Sequence, residues 1–153
     1  MVRLVDLPPA QAQRLAAFEC PRFTTEPWVT GPPLAERRVA IVSSAGLLVR
    51  GGIPFRGRDP DYHTIPPGTS PSDLLISHVS ISFDRTAFEE DWNSVFPIDR
   101  LNELAAEGAI GSVADTHYSF MGAAEPDLIE PHARALAGHL KDDSVDAVLL
   151  PPV

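Results

Sequence analysis

Arg38-Val39-Ala40-Ile41-Val42-Ser43-Ser44-Ala45-Gly46 decides the fold: an apolar, partly β-branched run that breaks into serine, alanine and glycine. A short apolar run bounded by turn signals suits a strand buried within a sheet, and small residues at its end suit the turn that follows a parallel strand. Working outward, residues 73–79 read as a second strand, 110–114 as a third and 147–150 as the last. Helical periodicity lies between them. Residues 97–108 open on Pro97, set Ile98, Leu101, Leu104 and Ala105 on one face and close on Gly108. Residues 126–140 carry Ile129, Ala133, Leu136, Ala137 and Leu140 on one stripe. Strands alternating with helices predict an α/β fold: a single domain with a mostly parallel sheet and flanking helices, Rossmann-like or flavodoxin-like.

The flanks are plainer. Residues 9–18 suit a short helix behind a proline start, and residues 20–34, with Phe23 and Trp28, read as an extended arm packed on the domain. The expected division is an arm over 1–34 and the α/β domain over 35–153. Residues 50–71 read as a polar loop, and 83–91 as a helical turn with Asp84 or Thr86 as its cap. The last strand is expected to be buried on both faces. Ending there without a crossover helix, the domain would be incomplete at its C-terminus. Covering a missing helix face is worth several kcal/mol at about 25 cal/mol per Å², so self-association or marginal stability is expected.

The 153 residues, 44% hydrophobic and 22% charged, suit one globular domain. A net charge of −9 argues against nucleic acid and anionic membranes as partners. No stretch reaches the roughly 18–20 apolar residues that span a bilayer, and residues 1–9 lack a signal-peptide core. A cytoplasmic protein is expected. The single cysteine, Cys20, excludes an internal disulfide and a multi-cysteine metal site. Beside Glu19 its thiol reads as inert, since an adjacent carboxylate raises a thiol's pKa.

Three places carry candidate chemistry. The Ser43, Ser44 and Gly46 turn stands where a phosphate- or anion-binding turn would, although neither the dinucleotide glycine fingerprint nor the phosphate-loop lysine pattern is present. A tight structural turn is the plainer reading. His78, at the end of the second strand with Asp84 and Arg85 just beyond, suits a general acid or base, or an edge histidine bonded to a loop. Asp115, His117 and Ser119 alternate, so an extended chain would set them on one face as an acid–base–hydroxyl group or half of a metal site. Loop capping is the blander reading, and no Gly-x-Ser-x-Gly elbow supports a hydrolase.

Three blocks carry a family likeness: His78-Val79-Ser80-Ile81-Ser82-Phe83-Asp84-Arg85; Val95-Phe96-Pro97-Ile98-Asp99-Arg100-Leu101 running on to Glu107-Gly108-Ala109-Ile110-Gly111-Ser112-Val113; and Phe120-Met121-Gly122 leading to Val145-Asp146-Ala147-Val148-Leu149-Leu150. In this order the chain resembles the selenoprotein B subunit of the glycine/sarcosine/betaine reductase and D-proline reductase family, over about residues 38–153. The resemblance implies reductive cleavage of a carbon–heteroatom bond in a small-molecule substrate, with electrons from a thioredoxin-type dithiol system or another reductase subunit. It also implies a redox cysteine or selenocysteine just after the strand that ends this chain, a residue absent from these 153. The chain is then expected to be a truncated or inactive reductase component. The alternative is a non-catalytic module that docks on a reductase partner. On the reductase reading the Ser43–Gly46 turn, Asp84 and Arg85 would bind substrate, and His78, His117 and Asp115 would move protons; no cofactor and no metal is expected in the chain itself.

Overall fold

In the computed structural model, which describes residues 3–17, 22, 24, 26–80 and 83–153, the opening stretch is strand β1 (Arg38–Ser43), the axis of the sheet. Its apolar side chains explain the position: Val39, Ala40 and Ile41 are all buried. Three strands lie parallel to it, β5 (Ser112–Val113), β6 (His117–Phe120) and β7 (Ala147–Leu149). Val39 pairs with Val113 on one edge and with Ala147 on the other, so β7 lies across β1 from β5. β3 (Tyr62–Ile65) adds antiparallel to β6 and closes that side. The α/β class holds, and all three pairings made by β1 are parallel.

Helix α3 (Ile98–Ala106) covers one face, where Leu101 packs with Val39, Ile41, Phe96 and Ile110. Helix α4 (Pro126–Asp142) covers the other, with Leu136 against Tyr118 and Phe120. Gly108, at φ +75°, ends α3 as its position in the sequence predicts. Two shorter α-helices are α1 (Pro9–Ala16) and α2 (Thr86–Glu90).

Several expectations are corrected. The second predicted strand is shorter, β4 (Leu74–Ile76), and lies outside the parallel sheet. It pairs antiparallel with β2 (Leu47–Val49), an apolar triplet that follows the Gly46 turn and gives it a nearby partner. The predicted third strand shrinks to β5, with Ile110 serving as core. The chain then re-enters the sheet as β6, a strand not among the four predicted, and all four of its residues are buried. β3 lies in the region read as loop, confined before Pro66, which has no N–H to extend a ladder.

The last strand is also corrected. β7 forms, but it is an edge strand: Val148 is 37% exposed, Leu149 39% and Leu150 67%. Only β1 pairs with it among the described residues. The arm departs from expectation too. Trp28 is 89% exposed and α1 buries none of its residues. Phe18, Cys20 and Phe23 lie outside the described residues.

Candidate functional site at the strand ends

Where β1 stops, its serines are already engaged. Ser43 is buried, donates from Oγ to the Val95 carbonyl at 2.9 Å and accepts from Ala45 N–H at 3.2 Å. Ser44 holds the segment that leaves β7: its N–H donates to the Pro151 carbonyl at 3.2 Å, and its Oγ accepts from Val153 N–H at 3.0 Å. Gly46 closes the turn at φ +65°. A Cβ there would stand 3.1 Å from the backbone N and Cα of His78, so glycine is what lets the two segments meet. Ser77 N–H donates to the Gly46 carbonyl at 2.8 Å and fixes the approach.

His78 is thereby carried to the carboxyl ends of β1 and β7. Its ring is buried against Phe83, with centroids 5.0 Å apart. Nδ1 accepts from Ser80 N–H at 3.1 Å, which places the proton of the neutral ring on Nε2, a buried atom without a hydrogen-bond partner among the described residues. Burial, and secondarily the Arg85 charge, hold its pKa below the ordinary histidine value. Arg85 donates from Nη2 to the His78 carbonyl at 2.6 Å and stands over the Phe83 ring. Asp84 accepts from Thr86 N–H at 2.9 Å, and this bond keeps its carboxyl acidic. A cavity of about 420 Å³ opens here, lined by His78, Ser80, Asp84, Ser94, Val95 and Val153 among others. Open α/β sheets place their ligands in this position, outside the carboxyl ends of the strands.

The structure brings His78, Asp84 and Arg85 together and sets the Ser43–Gly46 turn directly behind them. Asp115 and His117 are elsewhere. From Val39 to Val42 β1 advances three residues, while its partner advances five, from Val113 to Tyr118. His117 sits in this bulge, buried, its Nδ1 accepting from Ile41 N–H at 3.0 Å. Burial drives its pKa down to about 4. Asp115 points to solvent and pairs with Arg38 at 3.1 Å. Ser119 accepts from Leu47 N–H at 2.8 Å and donates to the Ser43 carbonyl at 3.1 Å. The three alternating residues therefore make no relay, and a hydrolase reading has no geometry to stand on.

Sequence reasoning missed Ser94, Val95 and Val153 as lining residues; only the bond from Ser43 to Val95 and the hold of Ser44 on Val153 bring them in. No group of three or more His, Cys, Asp or Glu side chains that could hold a metal ion occurs among the described residues. No helix among them is long and apolar enough to cross a membrane.

Comparison with known proteins falls on this same region. The family described as Glycine/sarcosine/betaine reductase selenoprotein B matches residues 75–152. The D-proline reductase subunit gamma of Acetoanaerobium sticklandii is 32% identical over 133 residues, covering 80% of this chain and 54% of that protein. The Glycine reductase complex component B subunit gamma of Symbiobacterium thermophilum is 26% identical over 148 residues, covering 87% of this chain and 32% of that protein. The chain thus spans about half of one relative and a third of the other. No solved structure matches.

Proposed function

Because the chain belongs to the glycine/sarcosine/betaine reductase selenoprotein B family, we propose that it is the scaffold portion of a reductase subunit that cleaves a carbon–heteroatom bond in a small amino-acid-like substrate. The observation that carries this reading is a coincidence of position. The matched segment, 75–152, contains His78, Ser80, Asp84, Ser94 and Val95, so the likeness falls on the crevice walls. The redox group would be a cysteine or selenocysteine supplied from outside these 153 residues and delivered to the crevice where Val153 leaves Ser44. A dithiol partner of thioredoxin type, or another reductase subunit, would return the electrons, in the cytoplasm.

Beside the crevice Arg85, bonded to the His78 carbonyl, supplies positive charge, and His78, neutral with its proton on Nε2, is suited to hydrogen-bond donation more than to proton transfer. Ser43 and Ser44 spend their hydroxyls on the chain itself, so the turn serves by holding Val95 and Val153 in place. Asp115 and His117 belong to a different cavity.

A second reading, a non-catalytic module that docks on a reductase partner, draws on the exposed apolar edge at β7. The reading frame downstream of the Val153 codon separates the two. An in-frame cysteine or selenocysteine codon, with further cysteines after it, supports the reductase subunit. A stop codon with no such continuation sinks that version and leaves the docking module.

A further inference from the structure

A groove of about 810 Å³ runs along α4 beside the edge strand β7 and shares no lining residue with the crevice at the strand ends. Ile129, Ala133, Leu136 and Ala137 line it from α4, Val148 and Leu150 from the β7 side. Its polar side chains are engaged within the chain. Glu130 pairs with Arg134 at 2.6 Å, Ser43 Oγ donates to the Val95 carbonyl, and Ser44 Oγ accepts from Val153 N–H. Such a surface offers a small polar ligand little to orient it. A large apolar side chain from a protein suits it better.

The chain carries such a side chain at the mouth of the groove. Pro27 lines it, and the next two residues, Trp28 and Val29, are 89% and 75% exposed. The arm is pinned on its other side, where Arg37 donates from Nε to the Pro32 carbonyl at 2.7 Å. Trp28 is thus held beside an apolar groove that it does not enter, and turned to solvent, where a second copy can receive it. A two-fold dimer makes that contact twice, the arm of each copy in the groove of the other. Trp28 with Val29 buries about 300 Å² per arm. Matched by the groove and doubled by symmetry, the total is about 1,200 Å², the low end of specific interfaces.

We propose that the groove is an arm-exchange site: Trp28 of each copy docks between α4 and Leu150 of a second copy, giving a two-fold dimer of micromolar affinity. Nothing in this rests on the reductase reading, because association is measured without turnover.

The chain contains two tryptophans, so Trp92→Phe leaves Trp28 as the reporter. Its emission should shift to the blue as protein concentration rises, following the monomer–dimer curve from sedimentation equilibrium. Trp28→Ser, at an exposed position, should raise the dimer Kd about thirtyfold or more, as loss of a tryptophan anchor does. Ala137→Glu, which puts a charge in the groove, should do the same, each in protein shown by its amide spectrum to be folded. With p-benzoylphenylalanine in place of Trp28, and an equal amount of heavy-isotope chain added, light-to-heavy cross-links should land on α4. A parent that stays monomeric, a Trp28→Ser variant that dimerises as well as the parent, or cross-links confined to one copy would each overturn the proposal.

Discussion

The imidazole of His117 stands in for a missing strand residue: its Nδ1 accepts from Ile41 N–H at 3.0 Å, at the point where the bulge between β5 and β6 offers β1 no carbonyl. A buried N–H left unpaired costs about 1–3 kcal/mol, and truncating the ring adds a cavity. His117→Ala should therefore lower unfolding stability by about 2–4 kcal/mol. His117→Asn, whose Oδ1 falls near the place of Nδ1, should recover a good part. Urea denaturation measures both, and equal loss in the two variants would mean that the ladder bond is not what stabilises this position.

Burial of the same ring makes the fold sensitive to acid. His117 has its pKa pushed down to about 4 by burial, against about 6.5 when unfolded. As pH falls below about 6.5, the unfolded chain takes up the proton first, so stability drops. The loss continues until the folded form also protonates near pH 4, and it amounts to about 3 kcal/mol at 1.36 kcal/mol per pH unit. Above about pH 6.5 this contribution is fully present. Denaturation curves over that window should show the slope in the parent and a flatter one in His117→Asn. An identical slope in both would assign the acid sensitivity to other groups.

Much of the fold was legible because it rests on local patterns. The apolar run of β1, the proline start and glycine stop of α3 and the stripe of α4 are short-range signals, and each stands where it was read. β6 was not legible, since His117 and Ser119 are buried only because distant N–H groups of Ile41 and Leu47 satisfy them. Partnership between β2 and β4 was hidden for a similar reason: a pair of apolar triplets does not show whether it joins the main sheet or forms its own ribbon. At the crevice, His78, Asp84 and Arg85 are near in sequence and came together as read. Val95 and Val153 reach it only through Ser43 and Ser44, long-range bonds that no spacing records.

Gly46 tests how the crevice is built. Alanine there must hold φ +65° and bring a Cβ to 3.1 Å from His78 N and Cα, against backbone that cannot rotate away. Gly46→Ala should cost about 1–3 kcal/mol and shift the His78 ring resonances. A variant as stable as the parent, with those resonances unmoved, would show that the turn has slack.

On the proposed reductase function, His78 and Arg85 would act on the substrate in different ways. In the reconstituted reductase, His78→Ala should lower kcat/KM by about tenfold, the worth of one hydrogen bond to a charged group, and His78→Gln, which keeps a donor, should restore part. Arg85→Ala should act mainly on KM, as loss of uniform binding does. Because its pKa lies below the ordinary histidine value, His78 should stay neutral at pH 7, and the rate should not rise on mild acidification. A rate that climbs as pH drops through the histidine range would instead mark His78 as a proton donor.

The edge at β7 bears on assembly. Val148, Leu149 and Leu150 carry no charge or proline of the kind that blunts an open strand edge, and Leu150 is 67% exposed beside a groove formed with Ile129, Leu136 and Leu140 of α4. An unguarded edge next to apolar surface favours pairing with another chain, either a second copy or a partner subunit. Leu150→Lys places a charge there without touching the β1 ladder, whose pairs with β7 end at Leu149. Sedimentation velocity on the purified chain should show association that weakens with Leu150→Lys while the melting temperature of the monomer is unchanged. If the parent is already monomeric at all concentrations, self-association through this edge is ruled out and the surface is left to a different subunit. In that case Leu150→Lys should instead reduce co-purification with the reductase partner.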